Sequence, residues 1–365
     1  MKVLQIKIIS LIAIVLFFGA IYSYADSESD STDIQTTQAL VKIVTIDSPI
    51  GPVTERIIKR SIETSEEDFA DALIIEMNTP GGLDTSMRHI IQGILKTNVP
   101  VIVYVSPSGS RAASAGVFIS YAAHIAAMAP GTNIGAAHPV NLGGKMDSTM
   151  SEKVANDAAA YIRSLAESRG RNVQWAEDAV YKSVSVTEKE ALEQNIIDIV
   201  AVDIKDLLKQ CDGWEIKINE KTTTLNLTNV KTERVDITFA DEILKIISDP
   251  NIAYILMSLG MLGLYFEFSN PGAVFPGVVG AICLILAFFS FSTLPINYAG
   301  LLLIIAATIM FLLEIKIVSH GALTIGGIIT MVIGSMMLID TDVPYMRISM
   351  VLILTVVFAT AAFFA

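Results

Sequence analysis

The chain has 365 residues, of which 52% are hydrophobic and 17% charged. Its mean hydropathy of +0.57 is too apolar for an ordinary soluble protein and points to a folded domain beside a membrane region. The formal net charge of −12 excludes a nucleic-acid-binding surface, because neutralising phosphates takes clustered Lys and Arg. Cys211 and Cys283 lack metal-site spacing, and Cys283 sits in an apolar run unsuited to a disulfide. The four histidines form no ligand motif, so no metal or cofactor is expected.

Residues 1–25 read as a signal peptide. Lys2 and Lys7 give a positive start, IISLIAIVLFFGAIYSYA an apolar core, and Ser23-Tyr24-Ala25 small residues at the cleavage positions. An uncleaved anchor is the rival reading, and in either case the domain that follows is exported. Residues 26–39 form a polar linker, acidic and Ser-rich, expected to be disordered.

Residues 40–211 alternate short apolar runs with helical patterns, which predicts an α/β domain. VKIVTID, ALIIEM (72–77) and PVIVYVS (100–106) read as strands, the last two buried. GPVTERIIKRSIETSEE and DTSMRHIIQGILKTN read as helices. AHIAAMA and NIGAA are short strands parted by the turn Pro130-Gly131-Thr132. A long helix is expected from Ser151, capped by Ser151-Glu152 and ended by Gly170. Val154, Ala158, Tyr161, Ile162 and Leu165 form its apolar face. A further helix covers the Trp175–Lys182 region, Thr187 signals another cap, and IIDIVAVD closes the domain as a strand. Residues 212–248 are expected to hold an appended β-hairpin and a connector without chemistry of its own.

From about residue 249 the composition changes. Apolar runs occur near 252–268, 273–293, 298–315, 322–339 and 348–365, each at or near the length of about 20 residues that a bilayer-spanning helix needs. The first is read as the shortest and, with Glu267 near its end, as a candidate re-entrant segment. Gly260, Gly263, Gly277, Gly280, Gly326 and Gly327 suit close helix packing in lipid. With the α/β domain outside the cytoplasm, the loop at Lys316 lies inside and that at Asp340 and Asp342 outside, in keeping with the positive-inside tendency. The run still being apolar at Ala365, a further carboxy-terminal domain is expected beyond it.

Between Ser106 and Val140 lies SPSGSRAASAGVFISYAAHIAAMAPGTNIGAAHPV. Ser114 there is crowded by Ala112, Ala113, Ala115 and Gly116, and the NTPGG run begins upstream at Asn78, after a strand. Acyl transfer needs a nucleophile, a base and donors for a developing oxyanion. Ser114 is the candidate nucleophile, at the start of a helix. Gly82 is the first oxyanion donor, since a glycine lets a substrate carbonyl approach. The N–H of Ala115, at the helix amino terminus, is the second. Taken singly, NTPGG is only a strand-to-helix turn and Ser114 a packing serine; one strand apart in an α/β domain, they form a more specific pair. Two residues compete for the base: His138, 24 positions on (138−114), and Lys153, 39 positions on (153−114). A lysine base must be desolvated or placed near other charge to lose its proton, and Val154, Ala155 and Ala158–Ala160 are expected to desolvate Lys153. For each, a plain structural role stays open.

NTPGG, SRAASAG, APGTNIGAAHP and the K…AAAYIRSLAESRGRN helix, followed by DPNIAYILMSLGMLGLYFEFSNPG, resemble the NfeD family of membrane-bound, ClpP-class serine proteases. The resemblance spans most of the chain. It implies a ClpP/crotonase-like α/β fold of ββα units ahead of an all-α transmembrane domain at 249–365. It further implies a Ser114–Lys153 dyad that cleaves hydrophobic segments, with Gly82 and Ala115 at the oxyanion positions. A stomatin-like (SPFH) membrane protein is implied as partner and substrate, and a small β-barrel after the membrane helices. His138 departs from this pattern: it sits close to where soluble ClpP proteases carry their triad histidine, with no Asp or Glu evident to orient it. The expected assembly is a homo-oligomer, at least a dimer, in the bilayer. A catalytically idle scaffold for stomatin-like proteins is the alternative to an enzyme. An acyl-CoA enzyme on the crotonase fold is disfavoured by the membrane segments and the nucleophilic serine.

Overall fold

The computed structural model describes residues 38–364 except 141–147, 220, 271, 273, 293, 295, 318 and 340–346. The expected signal peptide, the linker as far as residue 37 and the loop aspartates Asp340 and Asp342 lie outside the described residues.

The amino-terminal part is built on a six-stranded sheet. Its strands are β1 (Ala39–Asp47), β2 (Ala72–Asn78), β3 (Val101–Val105), β5 (Ile125–Met128), β8 (Ile199–Val200) and β11 (Val230–Arg234), in the order β11-β1-β2-β3-β5-β8. All neighbours are parallel. A parallel sheet is covered on both faces, so its strands read as continuous apolar runs. Here Leu73, Ile75, Met77, Val101 and Val103 bury against helices on one face, while Ile74, Ile102 and Tyr104 enter a second cluster on the other.

The first face packs under α1 (Pro52–Glu67), α2 (Asp84–Lys96), α3 (Ala115–Ala122), α4 (Ser148–Arg169) and α5 (Val173–Tyr181). Helix α4 starts three residues before the expected Ser151, which therefore sits inside its first turn. A short sheet stands apart, with β6 (Asn133–Gly135) between β4 (Arg111–Ala113) and β7 (Ser185–Thr187). The chain thus runs β3–β4–α3 and then β5–β6–α4, each time one strand in the large sheet, one in the small, then a helix. This is the ββα construction of the expected ClpP/crotonase-like fold. After β7, α6 (Glu188–Glu193) opens with a capping box between Thr187 and Glu190.

The stretch expected as an appended hairpin is instead part of the domain's core. The hairpin is present, as β9 (Glu215–Ile218) and β10 (Lys221–Thr224). Together with α7 (Ile204–Cys211) it covers the second sheet face through Leu207, Leu208, Ile216 and Ile218. Strand β11 then returns to the sheet edge beside β1, where buried Lys42 pairs with Glu233 at 2.6 Å and Asp68 at 2.7 Å. Its alternating VKTER gives no sign of this pairing, because an edge strand hides only one side.

Helix α8 (Phe239–Ile247) leads to apolar helices α9 (Pro250–Ser269), α10 (Phe275–Phe291), α11 (Tyr298–Lys316), α12 (Ala322–Leu338) and α13 (Met350–Phe364). The expectation of a shortest, re-entrant first segment is corrected: α9 is a continuous helix of 20 residues, the longest of the five. At 1.5 Å per residue it extends about 30 Å, a bilayer's apolar thickness. The glycines mark close crossings. A Cβ on Gly263 would lie 2.6 Å from the Pro276 carbonyl, and one on Gly280 2.8 Å from the Leu264 nitrogen, so α9 and α10 touch backbone to backbone. Gly300 and Gly334, not singled out in the sequence, do the same for α11 and α12.

Candidate active site

Residues 78–82 and the serine stretch meet because the turn after β2 is hydrogen-bonded to β4. The Thr79 N–H donates to the Arg111 carbonyl at 2.8 Å, and the Ala113 N–H donates to the Thr79 carbonyl at 3.1 Å. The Asn78 side-chain oxygen accepts from the Arg111 N–H at 3.1 Å, and its amide donates to Asp47 at 2.9 Å. Strand β4 therefore delivers Ser114 directly against the turn.

Ser114 sits at the N-cap of α3 with φ 50° and ψ −113°. Positive φ is uncommon for a non-glycine residue, and such strain costs about 1–3 kcal/mol and persists only where the surroundings enforce it. Here the enforcement is visible. The Ser114 N–H donates to the Ala136 carbonyl at 2.9 Å, and the Ser114 carbonyl accepts from the Val117 N–H at 3.0 Å. Gly81, at φ +110°, faces the serine so closely that a Cβ there would lie 2.6 Å from Ser114 Cβ and 3.1 Å from its Oγ. At the other end of α3, buried Arg171 donates to the carbonyls of Ser120, Tyr121 and Ala123 at 3.0–3.1 Å, a cation at a helix carboxy terminus.

The two proposed donors flank the serine. The parallel bridge between Ile50 and Gly82 uses the Gly81 carbonyl and the Leu83 N–H, so the Gly82 N–H points away from Ile50. Ala115 is the first residue of α3 and has no preceding turn to accept its N–H. Ser114, Gly82, Ala115, His138 and Lys153 all line one cavity of about 830 Å³, walled also by Pro80, Phe118 and Ala136.

The two candidate bases differ in setting. His138 follows β6 half-buried, and its Nδ1 donates to the Val180 carbonyl at 2.8 Å. A carbonyl only accepts, so this bond sets the tautomer with a bare Nε2. Lys153 lies near the start of α4. The expectation that its small neighbours desolvate it is corrected: Ala155, Ala158 and Ala159 face the core, while the Lys153 side chain is exposed in the single chain.

A polar clamp spans the same cavity. Arg88 of α2 reaches Asp157 of α4 at 2.5 Å and Asp84 at 2.9 Å, with its guanidinium 4.5 Å from the Tyr161 ring centroid. Asp157 is one helical turn from Lys153, so the clamp fixes the lysine's helix against α2. Sequence reading missed Gly81, Ala136 and this clamp. The pairing of two glycines in NTPGG was a usable signal for Gly81, the first of them; Arg88 and Asp157, 69 positions apart, offered none. Among the described residues no cluster of ligating side chains is arranged for a metal.

Two family models match: NfeD1b, N-terminal domain, over residues 40–235, and the NfeD integral membrane domain over 251–365. The chain is 41% identical over 337 residues to the membrane-bound protease PH1510 of Pyrococcus horikoshii, covering 89% of this chain and 76% of the relative. It is 27% identical over 292 residues to the membrane protein NfeD1b of Bacillus subtilis, covering 79% of this chain and 65% of that one. Among solved structures it resembles the 1510-N membrane-bound stomatin-specific protease, determined as a lysine-to-alanine mutant in complex with a substrate peptide. There the TM-score is 0.55 at 38% identity, over 58% of this chain and 98% of the other. A serine-to-alanine mutant of the same protease gives a TM-score of 0.52 at 40% identity, over 55% and 99%. With both family models aligned in order along it and a relative matched over most of its length, this chain is a member of the NfeD family.

Proposed function

We propose that this protein is a membrane-anchored serine endopeptidase with a Ser114–Lys153 dyad, acting outside the cytoplasm on apolar segments of membrane-associated proteins. The observation that carries the reading is Ser114, held at positive φ at a helix start in a cavity that Lys153 also lines. In this mechanism Lys153 Nζ takes the hydroxyl proton as Ser114 Oγ attacks the peptide carbonyl. The N–H groups of Gly82 and Ala115 receive the oxyanion, whose charge they stabilise best where water is excluded. Collapse expels the leaving amine, which takes that proton from Lys153, and a water deprotonated by the now neutral Lys153 Nζ then releases the acyl group. The exposed Lys153 is covered when a peptide fills the cavity, so that desolvation comes with substrate.

The 1510-N membrane protease of Pyrococcus horikoshii is specific for a stomatin homolog, which supports a stomatin-like membrane protein as the substrate of this chain. The five apolar helices cross the bilayer and hold the α/β domain at its outer surface. Oligomerisation, at least to a dimer, belongs to the same reading.

One observation favours a second base. The carbonyl of Val180 orients His138 in the role an aspartate plays in a triad. The test is hydrolysis of an apolar peptide by the full chain in vesicles, comparing the parent with Ser114→Ala, Lys153→Ala and His138→Ala. Loss of about a thousandfold or more in the first two, with His138→Ala near the parent, is the expected result. Loss in His138→Ala with Lys153→Ala active assigns the histidine. Undiminished turnover in Ser114→Ala removes the protease reading and leaves the scaffold.

A further inference from the structure

A second cavity, of about 490 Å³, lies where the α/β domain meets the membrane helices. Its apolar walls are Ile46, Ile50, Val53, Ile57, Leu83 and Leu294. Pro80, in the turn that carries Gly82, lines both this cavity and the one around Ser114, so the two are neighbours across a single residue. The opposite wall is the membrane segment itself: Pro250 opens α9, and Leu294 lies in the connection from α10 to α11. Those are the helix ends on the domain side of the bundle. Helix α8 borders the same region, with Phe239 77% and Ile246 58% exposed, an apolar face suited to the headgroup boundary.

Resting on the reading of Ser114 as a nucleophile, we propose that this cavity is an entry subsite. It receives the apolar stretch of a membrane-anchored substrate as it leaves the bilayer and holds it in line with the bond next to Ser114. A chain emerging beside Leu294 and crossing Pro80 arrives directly at the Gly82 N–H, with its apolar side chains against the part-exposed Val53 and Leu83 rather than in water. The occupant is an extended apolar peptide continuous with a bilayer-embedded segment. This is why a soluble domain of this fold is tethered at this end of a helical bundle: the subsite has one wall from each part.

The experiment uses the full chain in phosphatidylcholine vesicles with two probes. One is a short soluble apolar peptide that fills only the Ser114 cavity. The other is a single-span apolar peptide reconstituted in the same vesicles. Val53→Trp and Leu294→Trp narrow the subsite from opposite walls and touch none of the catalytic groups. Cleavage of the embedded peptide is expected to fall about tenfold or more in both variants, with the soluble peptide's rate unchanged. Unchanged rates for both probes, as when a lipid acyl chain is the occupant, overturn the proposal, and so does an equal loss for both probes in both variants. Ser114→Ala is run alongside. If it abolishes cleavage while the tryptophan variants behave as the parent, the subsite fails and the protease reading stands. If it cleaves normally, the protease reading itself fails.

Discussion

Ser114 owes its reach into the cavity to a neighbour without a side chain. Gly81 provides the φ of +110° that lets the turn come round, and the empty space into which Ser114 leans. Both are lost on adding one methyl group. Gly81→Ala is therefore expected to lower kcat about a hundredfold, because displacing a nucleophile by about 1 Å costs that much. Stability should fall by about 1–3 kcal/mol from the enforced backbone strain. Peptide turnover and thermal unfolding on the same preparation measure both, and a parent-like kcat would show that the contact does not position the hydroxyl. The placement of the candidate residues around one cavity was partly legible. Ser114, Gly82 and Ala115 follow from local chemistry: a small-residue surround, a turn and a helix start. The environment of Lys153 was not, since whether an amine is exposed depends on what lies across from α4. His138 was found, but its orienting partner is a backbone carbonyl 42 positions away, and a carbonyl carries no residue-type signature.

Among the elements, α8 couples the α/β domain to the membrane segment. It opens with a capping box between Thr238 and Asp241, and the same carboxylate, fully buried, receives Arg60 and, at 3.3 Å, Arg56 from α1. Burial alone raises the pKa of Asp241, but the hydrogen bonds from Thr238 and Arg60 outweigh it and hold the group below its ordinary 3.8. An acid depressed in the folded state contributes stability that is present above its unfolded value and lost as the pH falls below it. Asp241→Asn should thus cost about 2 kcal/mol at neutral pH, less than a fully buried pair because both arginines keep contact with water. The deficit should shrink once the pH drops under 3.8. Denaturant midpoints of parent and variant across that range check it; a deficit independent of pH would mean that packing, not charge, joins α8 to α1. Sequence periodicity located most strands and helices because apolar runs in a doubly covered sheet are continuous. It failed for β11, which pairs with β1 across 191 residues through Lys42 and Glu233. Edge pairing of a charged, alternating strand is decided by its partner rather than by its own pattern.

The whole molecule divides its apolar interior between two solvents. Two clusters sandwich the large sheet, and a third, from Ala253 to Phe364, lies wholly within α9–α13 and the turns between them. The division was readable from composition, since apolar runs crowd the carboxy-terminal third. Which end of the bundle meets the domain was not, because it depends on the α8 coupling and on the turn at Leu294. The separation of cores has a measurable consequence. The chain's two tryptophans both belong to the α/β part: Trp175 is buried in the first cluster and Trp214 packs against the second. Tryptophan emission therefore reports that part alone, while far-ultraviolet circular dichroism reports the helices of both parts, α9–α13 holding about half of the helical residues. Urea acts by solvating apolar and peptide groups. It has little purchase on helices whose backbone bonds are satisfied internally and shielded from water by a bilayer or micelle. In micelles the emission should shift in one cooperative urea transition while about half of the helical ellipticity, that of α9–α13, persists past its end. Coincident curves would show that the α8 coupling and the turn at Leu294 bind the two cores into a single cooperative unit.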